Sequence, residues 1–423
     1  MLYFELSIFF ILGYLAIIFE KFLHVNKAAV AVVMAVGTWL IYFTVTHGQM
    51  ISTSAISEQI SDVAQIIFFL LAAMVIVELI DSHHGFKVFT DIIYTSSKRR
   101  MLWFLIVISF FMSAVLDNLT SMIVMISLIR KMVPKKHDRW LFGSMVVISV
   151  NAGGAWTPIG DVTTTLLWIH ETITTWETIK LIFLPSVVNV LVSGILMTFL
   201  LKGEHLPEDA QLRHLPMEPG AKRVLMMGLC ALILIPFWKA ILGLPPFMGA
   251  LLGLGILWLV TDIIHFRYGE ERWHLRVPHI LAKIDTSSIL FFLGILFAID
   301  ALALAGILGD IATWFEKILP SQNWVAVILG LISAVIDNVP LVAAAIGMYD
   351  LKTFPVDSML WQLIAYAAGT GGSILVIGSA AGVAFMGIEK VDFLWYTKRI
   401  SIIALAGYLA GLATYFLIYP FFY

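Results

Sequence analysis

Two Asp-Asn pairs interrupt sequence that is otherwise almost wholly apolar. FFMSAVLDNLTSMIVM (110–125) carries Asp117 and Asn118 at its centre, and LISAVIDNVPLVAAA (331–345) carries Asp337 and Asn338. A carboxylate inside a membrane-spanning segment is costly and marks an ion path or a proton relay. An Asp-Asn turn also offers side-chain and backbone oxygens together, the ligands that replace an alkali ion's hydration shell. Thr120 stands just past the first pair, Pro340 past the second, and Ser113 and Ser333 lie one helical turn before the acids. Two further stretches are rich in glycine, NAGGAWTPIGD (151–161) and GTGGSILVIGS (369–379). Gly153, Gly154, Pro158 and Gly160, with Gly369, Gly371 and Gly372, predict broken helices with unwound carbonyls. The candidate ion cage is therefore Asp117, Asn118, Thr120, Asn151, Thr157 and Asp161 from the first half, with Asp337, Asn338, Thr370 and Ser379 from the second.

Glu78 and Asp300 add one acid each, in FFLLAAMVIVELID and FFLGILFAIDALA. No Lys or Arg is expected at the depth of these acids, so an anionic substrate would be repelled and a cation welcomed. Burial disfavours a carboxylate's charged form and a nearby cation favours it. One acid can then hold a proton or a sodium ion in turn, which is the simplest chemistry of an antiporter. Asp117, Asp337, Glu78 and Asp300 are the proton-coupling candidates. Structural readings stand beside these: Glu78 and Asp300 as packing residues, Asp161 as a helix cap, Asn151 as a partner for freed backbone. His83-His84 reads as a solvated interfacial pair, with pH sensing as the alternative.

The elements that must position these residues follow from composition. The chain has 423 residues, 60% hydrophobic and 13% charged, against about a quarter charged in soluble domains. Apolar runs of spanning length recur and do not alternate as barrel strands would. The fold class is an all-α polytopic membrane protein. Full crossings are expected at 4–19, 28–46, 64–80, 140–168, 178–201, 222–239, 243–262, 286–308, 358–387 and 394–419. Segments 101–131 and 321–349 hold the Asp-Asn pairs. Lys98, Arg99 and Arg100 precede the first of these, and Arg130, Lys131, Lys135, Lys136 and Arg139 follow it. Basic short loops stay in the cytoplasm, so the segment should turn back as a re-entrant hairpin. Its 101–116 arm, at 1.5 Å per residue, reaches about 24 Å and falls short of a ~30 Å core. With 321–349 also a hairpin, opening from outside, all but four of the 26 Lys and Arg fall in cytoplasmic loops, Lys21 and Lys27 among them; the exceptions are Lys180, Lys239, Lys317 and Lys352. Both termini are then outside.

Asp337 follows Asp117 by 220 residues, and Gly371, Gly372 and Gly378 follow Gly153, Gly154 and Gly160 by a constant 218. The chain reads as repeat 1 over 1–201 (hairpin 101–131, broken helix 140–168), a cytoplasmic linker over 202–221, and repeat 2 over 222–423 (hairpin 321–349, broken helix 358–387). Five crossings per repeat invert the second copy, the architecture of secondary transporters with a midplane site. No removable signal peptide is expected. The single Cys230 excludes an internal disulfide. No nucleic-acid-type basic run, Cys/His metal cluster or P-loop is present in the sequence, so no cofactor or ATP is expected.

FFLLAAMVIVELIDSHHGF, SAVLDNLTS, SVNAGGAWTPIGDVTTTLLWI and SAVIDNVPLVAA, in that order, resemble the NhaD-type sodium/proton antiporters of the ion transporter superfamily, over 68–387. The superfamily also includes arsenite permeases and sodium-coupled dicarboxylate carriers. The resemblance implies a homodimer with a scaffold and an elevator-type transport domain, exchanging cytoplasmic Na⁺ or Li⁺ for external H⁺ across the cell inner (plasma) membrane. It implies Asp117, Asn118, Asn151, Asp337 and Asn338 as the residues that hold Na⁺, with Glu78 and Asp300 as further essential acids. Dicarboxylate carriers have Ser-Asn-Thr at both tips; Asp-Asn-Leu-Thr and Asp-Asn-Val-Pro here favour a cation. The alternatives are a Na⁺- or H⁺-coupled carrier of a small organic anion or arsenite-like oxide, and an intramembrane aspartyl hydrolase. The broken helices and the repeat argue against the hydrolase.

Overall fold

The computed structural model describes residues 2–45, 53–88, 95, 97–201, 218, 220–266, 269–319 and 323–422. Most of the 202–221 linker lies outside them. The described elements are helical. They comprise α1 (Leu2–Ile18), the single turn α2 (Glu20–Leu23), α3 (Lys27–Val45), α4 (Thr53–Ser82), α5 (Lys98–Leu116), α6 (Asn118–Met132), α7 (Lys136–Ala155), α8 (Val162–Ile169) and α9 (Thr175–Leu200). There follow α10 (Ala221–Leu242), α11 (Pro246–Phe266), a 3₁₀ segment (Gly269–Leu275), α12 (Val277–Leu281), α13 (Thr286–Leu304) and α14 (Ile307–Ile318). The last part holds α15 (Asn323–Ile332), α16 (Asn338–Met348), α17 (Met359–Gly371), α18 (Ala380–Glu389), α19 (Phe393–Arg399), α20 (Ser401–Ile418) and a final 3₁₀ turn (Tyr419–Phe421). Eight of these helices, α3, α4, α5, α9, α10, α11, α13 and α20, are long and apolar enough to cross a bilayer. This is a polytopic membrane protein.

The helices form two bundles. In one, α5, α6, α9 and α18 pack on α7, α15 packs on α17, and α20 lies along α9. In the other, α3 packs on α1 and α13, and α4 packs on α11 and α13. Between them α16 touches α13 and α14. Close approach in the second bundle depends on Gly294, where any Cβ would strike the Ala31 backbone, and Trp39 Nε1 donates to the Phe297 carbonyl at 2.9 Å.

Helix α5 ends where Asp117 takes a positive φ of 79°, a conformation that a non-glycine residue rarely adopts. The chain then reverses. Lys98 at the start of α5 pairs with Asp138 at the start of α7 at 2.8 Å, and Ser113 near its end donates to the Val150 carbonyl at 2.6 Å. So α5 runs parallel to α7. On α6 the order is opposite: Asn118 reaches Asn151, while Arg130 meets Glu389 at 2.7 Å beside Arg139, which meets it at 2.9 Å. The 101–131 segment therefore folds back on itself. In the 321–349 segment, α15 and α16 are joined by a turn over 333–337, and Ser333 donates to the Ala368 carbonyl at 2.8 Å.

Both helices with glycine breaks are interrupted. α7 stops before Trp156 and Pro158, and α8 starts after the Asp161 cap; α17 stops at Gly371, and α18 starts after the Ser379 cap. Similar contacts recur in the two halves. A Cβ on Gly153 would strike the Phe110 carbonyl, and one on Gly371 the Gly330 carbonyl; Gly160 abuts the Ser113 carbonyl and Gly378 the Ser333 carbonyl.

Several expected boundaries move. The crossing expected at 64–80 begins at Thr53. The one expected at 286–308 stops at Leu304, where Gly306 turns the chain with φ 83°. The end of that crossing and the expected loop after it form one helix, α14, which buries Ile307, Leu308 and Ala312 and exposes Ile311, Trp314 and Ile318. The 394–419 segment is divided at Ile400.

Candidate ion site

The two Asn tips meet at one carboxylate. Asn118 Nδ2 donates to Asp161 Oδ2 at 2.8 Å, and Asn338 Nδ2 approaches the same oxygen at 3.4 Å. Asp161 Oδ1 accepts from Thr163 N at 3.0 Å, so the residue also caps α8, joining the structural and chemical readings. Asn118 donates as well to Asn151 Oδ1 at 3.1 Å. Asn151 Nδ2 donates to Ser373 Oγ and Ser379 Oγ, both at 2.9 Å. Ser379 in turn caps α18, accepting from Gly382 N at 3.2 Å. All four Asn and Asp residues of this core are buried, Asp161 at 2% exposure and Asn151 at 0%.

Sequence proximity alone does not assemble this core. α6 and α16 supply the amides, α7 supplies Asn151, and the breaks before α8 and α18 supply Asp161, Ser373 and Ser379. Each break brings a capping side chain to the start of a short helix, where partly positive N–H groups favour an anion or acceptor. Asp161 has no Lys or Arg partner among the described residues. Burying a charge without compensation is unfavourable, so this oxygen-rich pocket suits a cation or a proton.

The flanking acids differ. Asp117 accepts from Thr120 N and Thr120 Oγ1, both at 2.8 Å. It borders a cavity of about 60 Å³ between the tip and the second bundle, which also touches Met74, Val77, Ser288 and Phe292. That is room for a few waters. Asp337 faces Lys27 at 3.7 Å. This corrects two expectations: Lys27 is not merely a loop charge, and the acids do have one cation at their depth. The lysine begins α3, so its side chain can turn inward from a helix end.

The other candidates make their hydrogen bonds outside the core. Thr157 Oγ1 donates to the Ala114 carbonyl at 2.6 Å, pinning the break to α5. Thr370 Oγ1 donates within its own helix to the Tyr366 carbonyl at 2.6 Å. Glu78 accepts from Ser82 Oγ at 3.0 Å, and Lys283 Nζ donates to that hydroxyl at 3.0 Å. Asp300 lies on α13, in the second bundle. His83 is buried, with Nε2 2.8 Å from His265 Nε2, rather than solvated. Ser373 was missed; its signal was its place directly after Gly371-Gly372.

A family profile described as "Citrate transporter" matches residues 14–365. Sodium/proton antiporter 1 of Arabidopsis thaliana is 52% identical over 414 residues, covering 97% of this chain and 71% of that protein. Sodium/proton antiporter 2 of the same plant is 48% identical over 421 residues, covering 98% of this chain and 100% of that protein. The Na(+)/H(+) antiporter NhaD of Halomonas elongata is 28% identical over 443 residues, covering 97% and 87%. These relatives are transporters, not enzymes. The chain belongs to the NhaD-type sodium/proton antiporter family, which the citrate-transporter profile also detects.

Proposed function

We propose that this protein exchanges cytoplasmic Na⁺, or Li⁺, for external H⁺, holding the ion among Asp161, Asn118, Asn338 and Asn151. The observation that carries the reading is the convergence of Asn118 and Asn338 on one buried carboxylate with neutral donors around it. A bare monovalent ion would draw the amide oxygens inward and replace the amide N–H groups. A proton on the same acid would neutralise it and release the ion. Asp117 and Asp337 flank this exchange; Glu78 and Asp300 act on the other bundle.

The paired contacts of Gly153 and Gly371 support inverted repeats divided near 202–221, with 101–131 and 321–349 as re-entrant hairpins. The second bundle is proposed as the scaffold of a homodimer, past which the first moves as an elevator. The resemblance supports an inner-membrane location, and the charge distribution supports both termini outside.

Purified protein in vesicles tests the function. Added Na⁺ should dissipate an imposed pH gradient with no other solute, and Li⁺ should substitute. The citrate-transporter profile favours a second reading, carriage of a small organic anion. If dissipation requires added citrate, that reading replaces ours.

A further inference from the structure

The two tips differ in the residue that follows each acid by three. Three residues past Asp117 stands Thr120, which satisfies the acid through its N–H and its hydroxyl. Three residues past Asp337 stands Pro340, which has neither group. Asp337 Oδ1 accepts a 3.3 Å bond from Val339 N, while Oδ2 faces the Lys27 ammonium at 3.7 Å. The substitution of proline for threonine leaves an acceptor that the lysine occupies.

Lys27 belongs to the other bundle. Its ammonium lies 4.4 Å from the centroid of the Phe291 ring, a favourable place for a cation. The start of α3 is fixed beside α13, where Ser287 Oγ donates to Asn26 Oδ1 at 3.2 Å. Only the flexible stem of Lys27 need move for the pair to open. The partners' side chains are 27% and 20% exposed, so water can enter when they separate.

We propose that Lys27 is the resident counter-cation of the ion site: its ammonium holds Asp337 when no transported ion is bound and leaves it when one is. This rests on the antiport reading. An ammonium and a sodium ion carry the same charge, so either compensates Asp337 and the two together repel. The vacant site therefore keeps its hairpin tied to the second bundle, and ion binding unties it. Lys27 competes with the cargo, which sets the sodium concentration at which the site fills.

Two measurements test this on the full chain. In vesicle exchange, Lys27→Gln should lower the half-saturating Na⁺ concentration about fivefold, the scale of a partly screened charge pair. Lys27→Arg should restore it, and Lys27→Gln should add nothing in an Asp337→Asn background, because contacting residues are not additive. An unchanged half-saturation, or a shift that persists in the Asp337→Asn background, overturns the proposal. Acylation of Lys27 by an amine reagent, read by peptide mass spectrometry, needs no transport. Its rate should rise in Asp337→Asn and in NaCl relative to choline chloride; equal rates overturn the pairing. Were wild-type vesicles to show no Na⁺/H⁺ exchange, the antiport reading would fail and acylation would still decide the pairing.

Discussion

At the scale of single residues, the site is a set of neutral donors around Asp161, with charge only at its flanks. Asp161→Asn removes the charge and leaves one acceptor oxygen, which can serve the two amides or the α8 cap but not both. Exchange should therefore fall at least about 100-fold at normal membrane abundance, as expected when the group that binds the transported charge is lost. Asn118→Ala should raise the half-saturating Na⁺ more than Asn338→Ala, because its 2.8 Å bond to Asp161 is the tighter one against 3.4 Å. Thr120→Ala removes the hydroxyl but not the N–H from Asp117, so a milder loss is expected. The Asp-Asn pairs and Asp161 were legible in the sequence because polar groups inside apolar runs are costly and few. The role of Lys27 was not, since a lysine at the edge of a crossing reads as an ordinary loop charge. Glu78 and Asp300 announced themselves by the same cost, yet they sit on α4 and α13, in the second bundle. Cost marks a residue as unusual without saying which cluster it joins.

At the scale of elements, the glycines let backbone meet backbone. Gly153→Ala and Gly371→Ala each place a Cβ against a carbonyl, and forced overpacking costs about 1–3 kcal/mol. Thermal unfolding in detergent should show a lower Tm for both. Gly255→Ala in α11 meets open space and should leave Tm unchanged or slightly higher. The helix breaks were legible because Gly-Gly and Pro158 act locally on the backbone. The residues that the breaks bring together were not, because Asn151 and Ser379 are 228 apart in the chain and meet only through the packing of α7 against α18. Helix α14 escaped for the opposite reason: its apolar face is short, and Asp310, Glu316 and Lys317 make it resemble a loop.

At the scale of the whole molecule, two bundles meet at the hairpin tips, and the charge pattern orients them. Cysteines at Arg99 and Lys136, both exposed, introduced after Cys230→Ser, should react with an impermeant maleimide from the same membrane face. Labelling from opposite faces would make 101–131 a crossing and undo the proposed topology. The central claim is that sodium and a proton compete for the carboxylate at Asp161. Binding of radioactive sodium to the purified protein at two pH values tests it most directly. Where the acid is protonated, one proton displaced per ion predicts about a tenfold lower half-saturating Na⁺ per unit rise in pH, and no binding to Asp161→Asn. Undiminished binding to Asp161→Asn, or wild-type binding indifferent to pH, would contradict the account.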